Sequence, residues 1–128
     1  SGERMARRGQ HWQQVAVAAC EQCGRNRVPA VAPLLDLPHY LGTAVAAEAA
    51  EMTRWMLAPG AELNLRGMAK PAGPVTLLVG PEGGFEEAET RAALAAGFRP
   101  VSLGPRVLRT ETAGPAMLAA LMALWGDF

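Results

Sequence analysis

Two glycine-bearing segments hold the residue types best suited to chemistry. The first, Gly80-Pro81-Glu82-Gly83-Gly84, follows the apolar run VTLLV at 75–79. Glycine lets a backbone adopt positive φ and lets a ligand approach closely. The amides of such a turn, with a helix start behind them, can bind polar or anionic groups. No Gly-Lys-Ser/Thr follows, so it is not a Walker loop, and its spacing is not that of the dinucleotide fingerprint. On its own it reads equally as a structural turn. The second segment, LGPRVLRTET, sets Gly104, Arg106, Arg109, Thr110 and Thr112 around the apolar pair Val107 and Leu108. Apolar side chains in a loop are costly to expose, so this pair is expected to cover something. The competing reading is a capped helix start, with Thr110 or Thr112 as the cap and Glu111 in the first turn.

Two smaller constellations carry less. Cys20 and Cys23 form one C-x-x-C, which suits a redox pair or half of a zinc site. There is no second such pair, and His11 and His39 do not complete a ligand spacing. Two small buried residues on one helix face is the preferred reading, and no metal is expected. Asn26 lies between Arg25 and Arg27, either as a turn asparagine or as a wall of a substrate-facing site.

These residues need elements to position them. Apolar residues recur at helical spacing from Gln10 to Cys23 (Trp12, Val15, Ala16, Ala19, Cys20), and Gly24 suits the helix end. A short strand is predicted within Val28–Leu35, then a helix capped by Asp36 and running to about Ala50. Thr53–Ala58 reads as a buried strand, followed by a loop over 61–74. The unalternated run Val75–Val79 suits a central parallel strand covered on both faces. Glu86, Glu87 and Glu89 favour the positive end of a helix reaching Ala96, where Gly97 ends it. Pro100–Leu103 is another strand, and a last helix reaches about Trp125. Pro115 is tolerable in that helix's first turn and kinks it if deeper. The alternation predicts an α/β domain with a mostly parallel sheet, whose ligands sit beyond the carboxyl ends of the strands. Both glycine segments fall at that edge.

A chain of 128 residues that is half apolar reads as one domain with a real core. Twelve basic and twelve acidic residues cancel, which argues against a strongly basic nucleic-acid binder but permits a local basic patch. No apolar run is long enough for a membrane span. The opening SGERMARRGQ lacks the apolar stretch of a secretory signal, and cytoplasmic residence is expected.

Taken together, LLVGPEGGF at 77–85, SLGPRVLRTETA at 102–113 and AACEQCGRNRVP at 18–29 resemble the signature of the RsmE family, and the likeness extends nearly from Gln10 to Phe128. These are SPOUT-class enzymes that methylate N3 of a uridine in 16S ribosomal RNA with S-adenosylmethionine. The resemblance implies an α/β trefoil knot, a mostly parallel sheet with helices on both faces, and an exception to the usual absence of knots. It implies a cofactor held largely by backbone groups at Leu57, at Val79, Gly80, Pro81 and Gly83, and at Leu103, Gly104, Val107 and Leu108. Gly80, Gly83 and Gly104 would leave it room, and Val107 and Leu108 would wall its adenine. The family is dimeric, and the wide apolar face of the last helix agrees with a homodimer. Similar proteins also carry an N-terminal PUA-like RNA-binding domain and a first strand and helix, which this chain is expected to lack. The implied partner is the small ribosomal subunit RNA. For the chemistry, Arg106 and Arg109 can supply positive charge and Glu111 is the nearest base by sequence. Arg25, Asn26 and Arg27 are candidates for facing RNA. Other readings stay open at this point: an incomplete knot that only dimerises, a nucleotide-binding α/β domain, or a methyltransferase with another RNA target.

Overall fold

A computed structural model describes residues 2–45 and 51–128. The chain forms two compact units, Ser1–Asp36 and Leu37–Phe128.

In the first unit, α1 spans Gly2–Cys23, beginning well before the predicted Gln10. Gly24 takes φ +78° and Arg25 N–H donates to the Cys20 carbonyl at 3.0 Å. This satisfies an orphan carbonyl of the last turn. The predicted strand at Val28–Leu35 is not formed: residues 28–36 are irregular. Pro29 and Pro33 remove ladder donors, and the side chain of Gln13 takes over the backbone pairing. Its Nε2 donates to Pro29 O at 3.0 Å, and its Oε1 accepts from Val31 N–H at 2.7 Å. The helix face also differs from expectation. Cys20 is buried, whereas Cys23, Trp12 and Val15 are exposed.

In the second unit, α2 (Leu37–His39) runs directly into a π-helical turn, Tyr40–Ala44. Residues 46–50, where the predicted helix continues, lie outside the described part. Next come β1 (Thr53–Leu57), a short 3-10 turn (Leu65–Gly67), β2 (Val75–Leu78), α3 (Glu87–Ala95), β3 (Arg99–Val101) and α4 (Thr110–Trp125). The sheet is wholly parallel, in the order β2-β1-β3. Trp55 is level with Leu77 on one side and Arg99 on the other. The central strand is therefore β1, not the VTLLV run, which forms an edge. Pro100 is admissible because β3 is an outer strand.

Successive residues of a strand face opposite sides, so Trp55 and Met56 root two separate cores. Met56 packs with Val45, Ala93 and Phe98, joined by Tyr40, Leu41 and Phe85. Trp55 packs with Leu65, Val101 and Met117, joined by Ala120, Leu121 and Trp125. The Trp55 and Trp125 rings lie 6.4 Å apart at 51°, a tilted pairing that adds to the area they bury. Helix α3 thus covers one face and α4 the other, as expected of the fold class.

The connection from β1 to β2 takes an outer path. Ser102 N–H donates to Leu63 O at 2.8 Å, and Asn64 bridges Ser102 in parallel. Ala58 N–H donates to Val101 O at 3.0 Å. The exit of β3 therefore runs between β1 and the segment that leaves β1.

Helix ends follow their local chemistry. Glu86 and Glu89 form a reciprocal capping box on α3, with Glu86 N–H donating to Glu89 Oε1 at 2.8 Å. Gly97, at φ +94°, closes it. Pro115 is the sixth residue of α4, beyond the first turn, yet the helix continues to Trp125. Having no N–H, Pro115 cannot donate to the Glu111 carbonyl one turn back.

Candidate ligand cavity at the carboxyl end of the sheet

Each strand of the sheet ends in a loop on the same edge, and the three loops enclose one cavity of about 740 Å³. That volume suits a small organic ligand. Leu57 and Ala58 leave β1; Val79 to Phe85 leave β2; Leu103 to Ala113 leave β3 and open α4. All nine positions expected to hold a cofactor line it: Leu57, Val79, Gly80, Pro81, Gly83, Leu103, Gly104, Val107 and Leu108. So do Arg106, Arg109 and Glu111. Arg25, Asn26 and Arg27 belong to the first unit, where they form the exposed turn after α1.

The glycines are not alike. A Cβ on Gly83 or Gly104 would meet no heavy atom within 4 Å, so both border open space. Gly104 and Gly84 also take φ of +82° and +78°, which favours glycine on backbone grounds. Gly80 differs. A Cβ there would stand 3.0–3.2 Å from the Phe85 ring. Its missing side chain makes room for Phe85, while Gly80 still lines the cavity.

Phe85 follows the glycines immediately and joins the α3-side core while lining the cavity. Sequence reasoning missed it, although a ring placed directly after a glycine turn is a legible signal. Met56, Pro59, Thr90, Pro100 and Ala113 were missed as well. They are ordinary strand-end and helix residues with no mark of their own.

The second loop is held by Thr110. Thr110 and Thr112 were the alternatives for capping α4, but the N-cap position belongs to Arg109, whose side chain makes no cap. Thr110 Oγ1 instead donates to Gly80 O at 3.2 Å, tying the β3 loop to the β2 loop. Val107 is 76% exposed and stands in the cavity wall. Arg106, Arg109 and Glu111 are exposed, and none has an ion pair among the described residues. The cavity thus joins an apolar wall, exposed glycine backbone, two free cations and the carboxylates Glu82 and Glu111. Such a mixture fits a ligand with a flat apolar ring at one end and charged groups at the other.

A parallel α/β domain with a ligand cavity where three strands end is the class that fold and site define. The chain belongs to the RNA methyltransferase domain family, which it matches over residues 1–122. Ribosomal RNA small subunit methyltransferase E of Buchnera aphidicola subsp. Schizaphis graminum is 35% identical over 117 residues, 91% of this chain and 46% of the relative. The crystal structure of Ribosomal RNA small subunit methyltransferase E from Neisseria gonorrhoeae, bound to S-adenosyl methionine, is similar with a TM-score of 0.88 and 42% identity. It covers 98% of this chain and 51% of that one. A methyltransferase from Legionella pneumophila in complex with SAM gives a TM-score of 0.84 at 39% identity, over 97% of this chain and 49% of its own. The chain spans about half the length of these relatives. The resemblance seen in the three motifs is borne out by these matches. Among the described residues, no helix is long and apolar enough to cross a membrane.

Proposed function

We propose that the cavity binds S-adenosylmethionine and that the protein methylates N3 of a uridine in 16S ribosomal RNA. One observation carries this reading: three loops distant in sequence converge on a single cavity, in a chain whose family methylates RNA. The residues present fit the cofactor. Gly83 and Gly104 border space that a Cβ would fill. Leu57, Val79, Leu103, Val107 and Leu108 offer an apolar wall for an adenine. Backbone groups at the strand ends offer partners for its polar edge.

Bound there, S-adenosylmethionine supplies an already activated methyl group on a sulfonium. What remains for the protein is to orient the reactants and manage one proton. The N3–H of uridine must be lost before or as the new N–C bond forms. Arg106 and Arg109, free at the cavity rim, stabilise the negative charge that this leaves on the base. Glu111, in the first turn of α4, accepts the proton from N3. Arg25, Asn26 and Arg27 contact the RNA from the first unit.

The protein works as a homodimer in the cytoplasm. Leu118, Leu124 and Phe128, on and just beyond α4, are 56%, 52% and 79% exposed, apolar surface that a second copy of the chain would cover. The deciding experiment uses the full-length protein, labelled S-adenosylmethionine and small-subunit RNA from a strain lacking the activity. Label is expected at N3 of one uridine. Absence of label in small-subunit RNA overturns the substrate assignment.

A further inference from the structure

Charge is unevenly divided between the two units. The first holds five arginines against three carboxylates, Glu3, Glu21 and Asp36. Four basic residues of α1 (Arg4, Arg7, Arg8 and His11) fall at positions i, i+3, i+4 and i+7, which is one face of a helix. Between Glu3 and Glu21 there is no acidic residue at all. Arg8 therefore has no carboxylate one turn away in either direction. The nearest acid to Arg7 is Glu3, one turn back, and no ion pair joins them. Arg7, Arg8 and His11 are all exposed. A solvated helix face ordinarily alternates its charges, and this one does not.

The other end of the same helix is basic too. Arg25 and Arg27 stand in the turn held by the Arg25 N–H bond to Cys20 O, and both are exposed. At 1.5 Å per residue, about 22 Å of helix separates Arg8 from Cys23. A rigid rod thus presents two cationic patches at a fixed spacing.

The geometry points to the Arg7–Arg8–His11 face of α1 as an RNA docking surface that grips the phosphate backbone. This rests on the reading of the protein as an RNA methyltransferase. The complementary partner is a polyanion, because Arg7 and Arg8 are exposed cations with no ion pair among the described residues, and no acid follows them along α1 until Glu21. Arginine is the residue type that meets phosphate with a paired donor fork. Contacts of this type position the substrate without reading its sequence, which suits a patch far along the helix from Arg25 and Arg27.

The test compares the chain with an Arg7→Gln/Arg8→Gln variant, binding a fluorescent stem-loop RNA of small-subunit sequence at several salt concentrations. Each phosphate contact contributes about 0.7–0.9 to the slope of log K against log salt. The double variant is expected to lower that slope by about 1.4–1.8 and to weaken binding about tenfold at low salt. S-adenosylhomocysteine binding and thermal unfolding should not change, since neither residue lies in the cavity or the core. An unchanged slope in a variant that still folds and binds S-adenosylhomocysteine overturns the docking surface and leaves the methyltransferase reading intact. Failure of the unaltered chain to bind S-adenosylhomocysteine counts against the methyltransferase reading instead, whatever the slope does.

Discussion

Gly83→Ala and Gly80→Ala separate a glycine that serves the ligand from one that serves the fold. Neither position has positive φ, so alanine brings no backbone strain at either. At Gly83 the added methyl meets nothing within 4 Å. The free protein should lose no stability, and can gain about 0.4–1 kcal/mol through a less flexible unfolded chain. At Gly80 the methyl stands 3.0–3.2 Å from three carbons of the Phe85 ring. That half-buried ring packs against the core beneath α3 and must shift by a few tenths of an ångström to admit the methyl. Overpacking of this kind costs about 1–3 kcal/mol. For a unit of this size each kcal/mol lowers Tm by about 4–8 °C. Binding should run the other way at Gly83: a methyl placed in the space that the ligand approaches should weaken S-adenosylhomocysteine at least about tenfold, or 1.4 kcal/mol. Differential scanning calorimetry gives the first quantity and isothermal titration the second. A Gly83→Ala variant that binds S-adenosylhomocysteine as tightly as the unaltered chain would refute close approach at that turn. An unshifted Tm in Gly80→Ala would refute the Phe85 contact.

Thr110→Val should cut the tie between the two cavity loops while keeping shape, raising KM for S-adenosylmethionine by about two- to thirteenfold, the worth of one hydrogen bond of about 0.5–1.5 kcal/mol. Thr110→Ser should restore it, and steady-state kinetics read both. Arg109→Ala should lower kcat by about a hundredfold or more, as loss of one charge-stabilising donor does, with S-adenosylhomocysteine affinity changed far less. A loss of S-adenosylhomocysteine affinity with kcat unchanged would assign Arg109 to binding alone. Trp55→Ala should destabilise the domain by about 3–5 kcal/mol, since Trp55 is 2% exposed and stacks near Trp125; urea denaturation measures it.

The cavity was more legible in the sequence than the sheet that builds it. The glycines, arginines and apolar pair of the segments at 80–84 and 103–112 announce a site, and Gly80, Gly83, Gly84, Gly104, Arg106, Arg109, Val107 and Leu108 all line the cavity. Strand order carries no comparable mark. VTLLV reads as central because an unbroken apolar run implies two covered faces, yet all four residues of β2 are only half-buried at the sheet edge. The true centre, β1, begins Thr53-Arg54, and a charge there disguises it. The aliphatic stem of Arg54 can lie along the sheet while its guanidinium Nη2 donates to Val45 O at 3.3 Å. Val28–Leu35 reads as a strand from composition, but a strand needs a partner, and Gln13 supplies the backbone bonds instead. The role of Gly80 depends on how Phe85 folds back, a tertiary fact that five residues of spacing do not reveal.

Whether the three-loop cavity is a methyl-donor site is tested most directly by titrating S-adenosylhomocysteine into the chain by calorimetry, with ATP as the competing adenine nucleotide. Saturable one-site binding of S-adenosylhomocysteine, at least about tenfold tighter than ATP, is the expected result. Equal or tighter binding of ATP, or no heat with S-adenosylhomocysteine, contradicts it.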